Sequence, residues 1–231
     1  MKNYAVILAS GSGERSGLNI PKQFAMINEK TVLELTLDVF SSHKNIDEII
    51  LVTNPNYFEL TNEIISKNNY YKLEKIIKGG ATRQQSSYAG ISAIEDTNAN
   101  VLIHDAARPF VTHEIISKCI NALKEYKAVN VAIESSDTII EVTYDNIINN
   151  VPDRKYLRRC QTPQCFDIKL IKKAHELAIK ENTDNITDDC GLILRYNLAD
   201  VYVVQGSTDN IKITYPMDME IAKLILKKES R

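Results

Sequence analysis

Apolar and polar positions along this chain switch repeatedly between two periods. Residues 4–9 form an unbroken apolar run, read as a buried strand. Residues 31–42 then space their apolar groups as a helix does, behind a threonine cap. Residues 48–53 are another apolar strand, ended by Asn54-Pro55. The alternation continues: helix 57–67, strand 74–78 running into Gly79-Gly80, helix 82–95, strand 100–104 ending at Asp105, helix 112–126, strand 129–133. Farther on, the pattern predicts helices 168–180 and 188–195, strands 200–204 and 210–214, and a last helix 216–228. Near-continuous apolar strands between helices predict an α/β fold, a mostly parallel sheet with helices on both faces. Ligands of such sheets bind outside the carboxyl ends of the strands, where the glycines and Asp105 fall.

Residues 134–166 break the rhythm. Segments 137–142 and 146–151 read as two strands around Thr143-Tyr144-Asp145. A hairpin outside the main sheet needs another surface to bury it. It is read as a protruding β-arm, inserted at about 136–160 into a single domain spanning 1–231, that packs on a second subunit in a homodimer.

Composition narrows the picture. The 231 residues suit one large α/β domain or two small ones, and 44% of them are hydrophobic, enough for a real core. The formal net charge of -2 gives no electrostatic case for a nucleic-acid or membrane partner. The run 4–9 is too short for a signal peptide or a membrane span, so a cytoplasmic protein is expected. Cys119, Cys160, Cys165 and Cys190 form no CxxC pair and are read as reduced thiols.

Four segments carry candidate chemistry. In the first, residues 8–24, Ser10, Gly11 and Gly13 let backbone N–H groups close around phosphates. The spacing G-x-G-x-x-x-G fits neither the dinucleotide fingerprint nor a P-loop. Arg15 and Lys22, the latter just after Pro21, are two cations that suit a triphosphate, against the plainer reading of a solvated loop. In the second, Gly79 and Gly80 could press on a flat base and Ser86 could hydrogen-bond it, or the segment could simply cap a helix. In the third, Asp105 is a natural ligand for a hard cation such as Mg²⁺, and Arg108 can pair with it or with a phosphate. In the fourth, residues 209–214, alternation puts Asp209 on one face and Asn210 and Lys212 on the other. Irregular backbone would have to free Asp209 to reach the same metal.

Taken together, the loop ending in Pro21-Lys22-Gln23, His104-Asp105-Ala106-Ala107-Arg108-Pro109, Gln161-Thr162-Pro163-Gln164 and Asp209-Asn210-Ile211-Lys212 resemble one family. It is the methylerythritol phosphate and ribitol phosphate cytidylyltransferases, a branch of the nucleotidyltransferases, and the resemblance runs from Ala5 to about Leu226. It implies a Rossmann-like nucleotidyltransferase sheet and transfer of CMP from CTP to an acyclic polyol phosphate, with release of pyrophosphate. It makes Arg15, Lys22 and Lys212 the catalytic cations. Ala9, Ser10, Gly11, Gly13, Gly80, Ser86, Asp105 and Ala106 become CTP contacts. Arg108, Thr138, Arg154, Thr162 and Lys212 become acceptor contacts, with Thr138 and Arg154 reaching a neighbouring subunit's site from the arm. Asp105 and Asp209 become ligands of Mg²⁺ or another divalent cation.

The implied chemistry is in-line attack of an acceptor phosphate oxygen on the α-phosphorus, which needs positioning and charge neutralisation. The four histidines are scattered and are given no catalytic part. Ile140 stands where the methylerythritol phosphate branch commonly has lysine, and Cys190 where it tends to have alanine. Both point to ribitol 5-phosphate as acceptor, with 2-C-methyl-D-erythritol 4-phosphate as the alternative. The motif around His104 looks more like that second branch. A non-catalytic nucleotide-binding module and a purine-sugar nucleotidyltransferase are the other readings. The intact Arg15 and Lys22 argue against the former, and a cramped Ala9/Gly80/Ser86 pocket against the latter.

Overall fold

The computed structural model describes residues 1–13, 17, 20–183 and 186–229. Seven strands form the main sheet: β1 (Lys2–Ala9), β4 (Glu48–Thr53), β5 (Leu73–Lys78), β6 (Ala99–Asp105), β7 (Ala128–Glu134), β10 (Arg158–Asp167) and β11 (Val201–Gln205). Their order is β11-β7-β10-β6-β1-β4-β5, and β10 alone runs antiparallel to its two neighbours. Two small hairpins stand apart, β2 (Met26–Ile27) with β3 (Lys30–Thr31) and β8 (Glu141–Val142) with β9 (Ile148–Asn150).

Side-chain alternation sorts the strands onto two cores. Ala5, Ile7 and Ala9 of β1, with Ile49 and Leu51 of β4, face helices α1 (Val32–Ser42), α2 (Phe58–Ser66) and α4 (His113–Ala122). Tyr4, Val6 and Leu8, with Ile50 and Val52, face α3 (Arg83–Ser92), α5 (Ile168–Lys180) and α6 (Asp189–Arg195). Both faces are dry, which is why these strands read as continuous apolar runs. The last helix, α7 (Pro216–Glu229), packs through Met219, Ala222 and Ile225 on Ala25, Ile27 and Phe110. No helix among the described residues is long and apolar enough to cross a membrane.

Local chemistry sets the helix starts. Thr31 Oγ1 accepts from Glu34 N at 3.1 Å, and Glu34 Oε2 accepts from Thr31 N at 2.8 Å, a capping box of about 1 kcal/mol. Thr82, Thr112, Asp167 and Asp188 cap α3, α4, α5 and α6 by the first of these bonds, each side chain accepting from one N–H of the first turn.

Two expectations need correction. Residues 210–214 do not form a strand: Ile213 N donates to Ala107 O at 2.8 Å, tying the segment to the turn after β6 and outside the ladder. Residues 158–167, which overlap the expected arm only at 158–160 and were otherwise given no element, form the long antiparallel strand between β6 and β7. Its polar composition and Pro163 hide it, because proline in a central strand is confined to bulges. The register with β7 does shift between Cys160 and Gln164. The arm proper is the β8–β9 hairpin, and every residue from 136 to 151 is exposed.

The contact between α3 and the sheet rests on Gly90. A Cβ there would meet Val6 Cγ1, and would lie 3.0 Å from Val52 Cγ2. Gly90→Val should therefore destabilise the fold by about 1–3 kcal/mol through overpacking. Denaturant unfolding should show a lowered midpoint, and an unchanged midpoint would contradict this packing.

Candidate functional site

The carboxyl ends of β1, β4, β5 and β6 open into a cavity of about 830 Å³. Its first wall is the loop after β1. Buried Gln23 clamps that loop from inside, its Nε2 donating to Ala9 O at 2.7 Å and Gly11 O at 2.9 Å. Gly13 has φ +78°, and a Cβ there would stand 2.9 Å from Pro21 Cα, so the turn returns the chain directly onto Pro21 and Lys22. Ala9, Ser10, Gly11, Gly13 and Lys22 all line the cavity. Arg15 lies outside the described residues.

The second wall is the turn from β5 into α3. A Cβ on Gly79 would fall 2.6 Å from Ser10 Cβ, and one on Gly80 would strike Gln85 Cβ. The two loops are locked together by Ser10 Oγ donating to Ser86 Oγ at 2.8 Å. Ser86 Oγ also accepts from Gly80 N at 3.2 Å and donates to Thr82 O at 3.0 Å. Gly80 therefore lines the cavity, while Ser86 is fully buried and its hydroxyl serves the lock.

The floor is Asp105, at the end of β6. Its carboxylate takes Lys212 Nζ at 2.6 Å and Arg83 Nε at 3.4 Å. Burial alone would push its pKa up; the Arg83 and Lys212 charges overcome this and hold it well below the usual carboxylate range. The described lining thus has three cations, Lys22, Arg83 and Lys212, around one carboxylate. That balance suits a polyanion. Arg83 was given no role from sequence; the signal was its position one residue past the Thr82 cap, aimed back at a strand end that carries an acid.

Other expected residues fall elsewhere. Ala106 is buried in the core, its N–H on Leu8 O and its carbonyl on Thr36 Oγ1, and Ala107 takes the lining position. Arg108 turns to backbone, donating from Nη1 to Asn210 O at 2.9 Å and from Nη2 to Cys160 O at 3.3 Å. Asp209 is not brought to Asp105: it lies in the turn after β11, where Asn210 N donates to Ser207 O, and it pairs with Lys228 at 2.9 Å. Thr138 and Arg154 sit exposed with the arm, Arg154 Nη1 donating to Ser136 O at 3.1 Å. Thr162 is buried behind Asp105 and accepts its N–H at 3.2 Å.

Among the described residues no three His, Cys, Asp or Glu side chains gather as a metal cage. Among the described residues that line the cavity, Asp105 is the one acid, which fits an ion arriving on a triphosphate. Mg²⁺ takes one or two carboxylates and fills its other positions with phosphate oxygens and water.

Behind the floor, Thr162 Oγ1 is 2.9 Å from His104 Nδ1, and His104 Nε2 is 3.0 Å from Arg108 O. Neutral His104 satisfies both, accepting from the hydroxyl and donating to the carbonyl. Burial pushes its pKa down to about 4. The unfolded chain therefore takes this proton first as pH falls. The stability tied to neutral His104 is whole above pH 6.5 and is lost through about pH 4. The loss should amount to about 3 kcal/mol. Denaturant unfolding of the parent should show a steeper pH dependence in this window than His104→Gln; equal slopes would refute it.

Against known proteins, residues 4–228 match the model of the IspD family, 2-C-methyl-D-erythritol 4-phosphate cytidylyltransferase. The 2-C-methyl-D-erythritol 4-phosphate cytidylyltransferase of Thermobifida fusca (strain YX) is 39% identical, over 96% of this chain and 92% of that one. The bifunctional ribulose 5-phosphate reductase/CDP-ribitol pyrophosphorylase Bcs1 of Haemophilus influenzae is 41% identical over 99% of this chain, which spans 49% of that protein. The crystal structure of 4-diphosphocytidyl-2C-methyl-D-erythritol synthase from Anaerococcus prevotii DSM 20548 superposes with TM-score 0.86 at 34% identity, covering 98% of this chain and 96% of that one. With this match over nearly its whole length, and a cation-lined cavity where the motifs fall, the chain belongs to the 2-C-methyl-D-erythritol 4-phosphate cytidylyltransferase family.

Proposed function

We propose that this chain, a CTP-dependent cytidylyltransferase by family, transfers CMP from CTP to 2-C-methyl-D-erythritol 4-phosphate and releases pyrophosphate. The observation that carries the reading is the cavity in which Lys22, Arg83 and Lys212 surround Asp105 beneath two glycine-built loops. The glycines bring backbone close to the base and the phosphates. Lys22, with Arg15, would neutralise the triphosphate and the departing pyrophosphate. Lys212 would leave Asp105 for the acceptor and α-phosphates. Asp105 would be the protein ligand of Mg²⁺, which when bound supplies charge to the transferring phosphoryl oxygens.

The sequence points to ribitol 5-phosphate through Ile140 and Cys190. The comparisons weigh toward methylerythritol phosphate: the family model, the Thermobifida fusca relative and the Anaerococcus prevotii structure all carry that specificity in their names. Ribitol 5-phosphate keeps one specific support, the Haemophilus influenzae relative. Moreover, Cys190 is buried beside Leu192 and Ile193, so its identity follows core packing as readily as acceptor choice. Pyrophosphate release with CTP and Mg²⁺ should give a higher kcat/KM with 2-C-methyl-D-erythritol 4-phosphate than with ribitol 5-phosphate. The reverse order would overturn the acceptor assignment.

The reading includes a homodimer completed by the arm. Ile139, Ile140, Val142, Ile147, Ile148 and Val151 are exposed there, and Thr138 and Arg154 are not among the residues lining the chain's own cavity. Lys22→Ala and Arg154→Ala should each lose most turnover, Lys22→Ala by the equivalent of about 2–4 kcal/mol. Mixed and allowed to exchange subunits, the two should regain activity, because one site of the heterodimer keeps both residues. No recovery despite proven exchange would place Arg154 in its own chain's site.

A further inference from the structure

A charged cluster outside the cavity is unused by the mechanism above. Asp189 opens α6, and its side chain is 1% exposed. Its Oδ2 accepts from Arg83 Nη1 at 2.7 Å. Its Oδ1 accepts from Ser87 Oγ at 2.6 Å and from His175 Nε2 at 3.0 Å. Its own N–H donates to Gln164 Oε1 at 2.9 Å, and Gln164 Nε2 returns to Asp188 Oδ2 at 3.1 Å. Both carboxylate oxygens and the backbone are thus fixed by α3, α5 and β10.

Of these partners, Arg83 is the one that lines the cavity. Its guanidinium spans two carboxylates, Nη1 on Asp189 and Nε on Asp105. The fork geometry allows this, and an ammonium would reach one acid only. His175 meets Asp189 with Nε2, which therefore carries the proton; Nδ1 is buried with no hydrogen-bond partner among the described residues.

We propose that Asp189 is a positioning residue for nucleotide binding: anchored outside the cavity, it fixes Arg83, and Arg83 fixes the Asp105 carboxylate and faces the bound triphosphate. Without Asp189, Arg83 would collapse onto Asp105 as its remaining counter-ion. That would draw Asp105 out of line and withdraw a cation from the phosphates. This inference rests on the CTP reading of the cavity.

The test is a double-mutant cycle read as CTP affinity by calorimetry with Mg²⁺, well below the melting temperature. Asp189→Asn and Arg83→Lys should each weaken CTP about tenfold, the scale for groups that orient a binding residue. The double variant should be no weaker than the worse single one, because both act through one link. A merely structural Asp189 would lower the melting temperature and leave CTP affinity at the parent value. That result, or losses that multiply in the double variant, would overturn the proposal. Should Asp189→Asn fail to fold, Arg83→Lys decides: parent-like CTP affinity in that variant overturns it, and tenfold weakening supports it. The readout is binding, so an enzyme that binds CTP yet turns over neither polyol phosphate would sink the acceptor reading and leave this cycle standing.

Discussion

An ionised carboxylate held in a nearly dry place is costly unless it is paired and hydrogen-bonded. Asp105, 8% exposed at the end of β6, sets this requirement for its surroundings. One cation comes from the first turn of α3, the other from the segment that follows β11. The backbone N–H of Asp105 goes to Thr162 of β10. Three separate stretches of chain must converge on one residue for the charge to be tolerated. Their convergence draws the turn after β5, the antiparallel strand and the 210–214 segment to one rim of the sheet. Arg83 carries the demand one layer deeper, because it is shared with a second buried acid. There too burial is opposed by the Arg83 charge, and the Asp189 carboxyl is held well below the ordinary range.

The glycine-built loops follow from a different constraint, distance. Backbone can approach a phosphate or a base closely only where no Cβ intervenes. Gly79 and Gly80 are spent on approach between loops: a side chain at either would collide with Ser10 or Gln85. Gly13 is spent on conformation, as its positive φ lets Pro21 and Lys22 pack beneath the turn. Gln23 then replaces the missing ladder partners, its amide donating to two loop carbonyls. The start of the loop is thereby held in place from beneath.

Much of this was legible in sequence, and the reason is periodicity. Strands buried on both faces leave unbroken apolar runs, and helices capped by Thr or Asp announce their starts, so β1, β4, β6 and α1 fall close to where the pattern puts them. What stayed hidden depends on partners that are not neighbours in sequence. β10 is polar because its inner residues hydrogen-bond across layers: Gln161 to Ser207 and Asn210, Thr162 to His104, Gln164 to Asp188. No apolar count can find such a strand. Ala106 and Ala107 are indistinguishable by composition, and a turn decides which one reaches the cavity. Asp209 shows a different lesson: a strand was expected over 210–214, but a turn and an ion pair with Lys228 set its place, and neither can be read from periodicity. Arg83 was invisible because its meaning lies in two acids, one 22 and one 106 residues away.

The arm joins specificity to association on the dimer reading. Glu141 pairs with Asn150 and Val142 with Ile148, a hairpin too short to be stable alone. Its apolar residues are exposed on their own chain, and on this reading a second subunit would bury them. Ile139 and Ile140 lie next to Thr138, the residue the family resemblance assigns to the acceptor. The groups that would order the arm and the groups that would choose the acceptor are thus adjacent in the segment that leads into β8. A change at 140 from isoleucine to lysine would alter both at once, removing apolar area from the interface and adding a cation near the acceptor phosphate. On the dimer reading, acceptor choice would be tied to how the subunits pack.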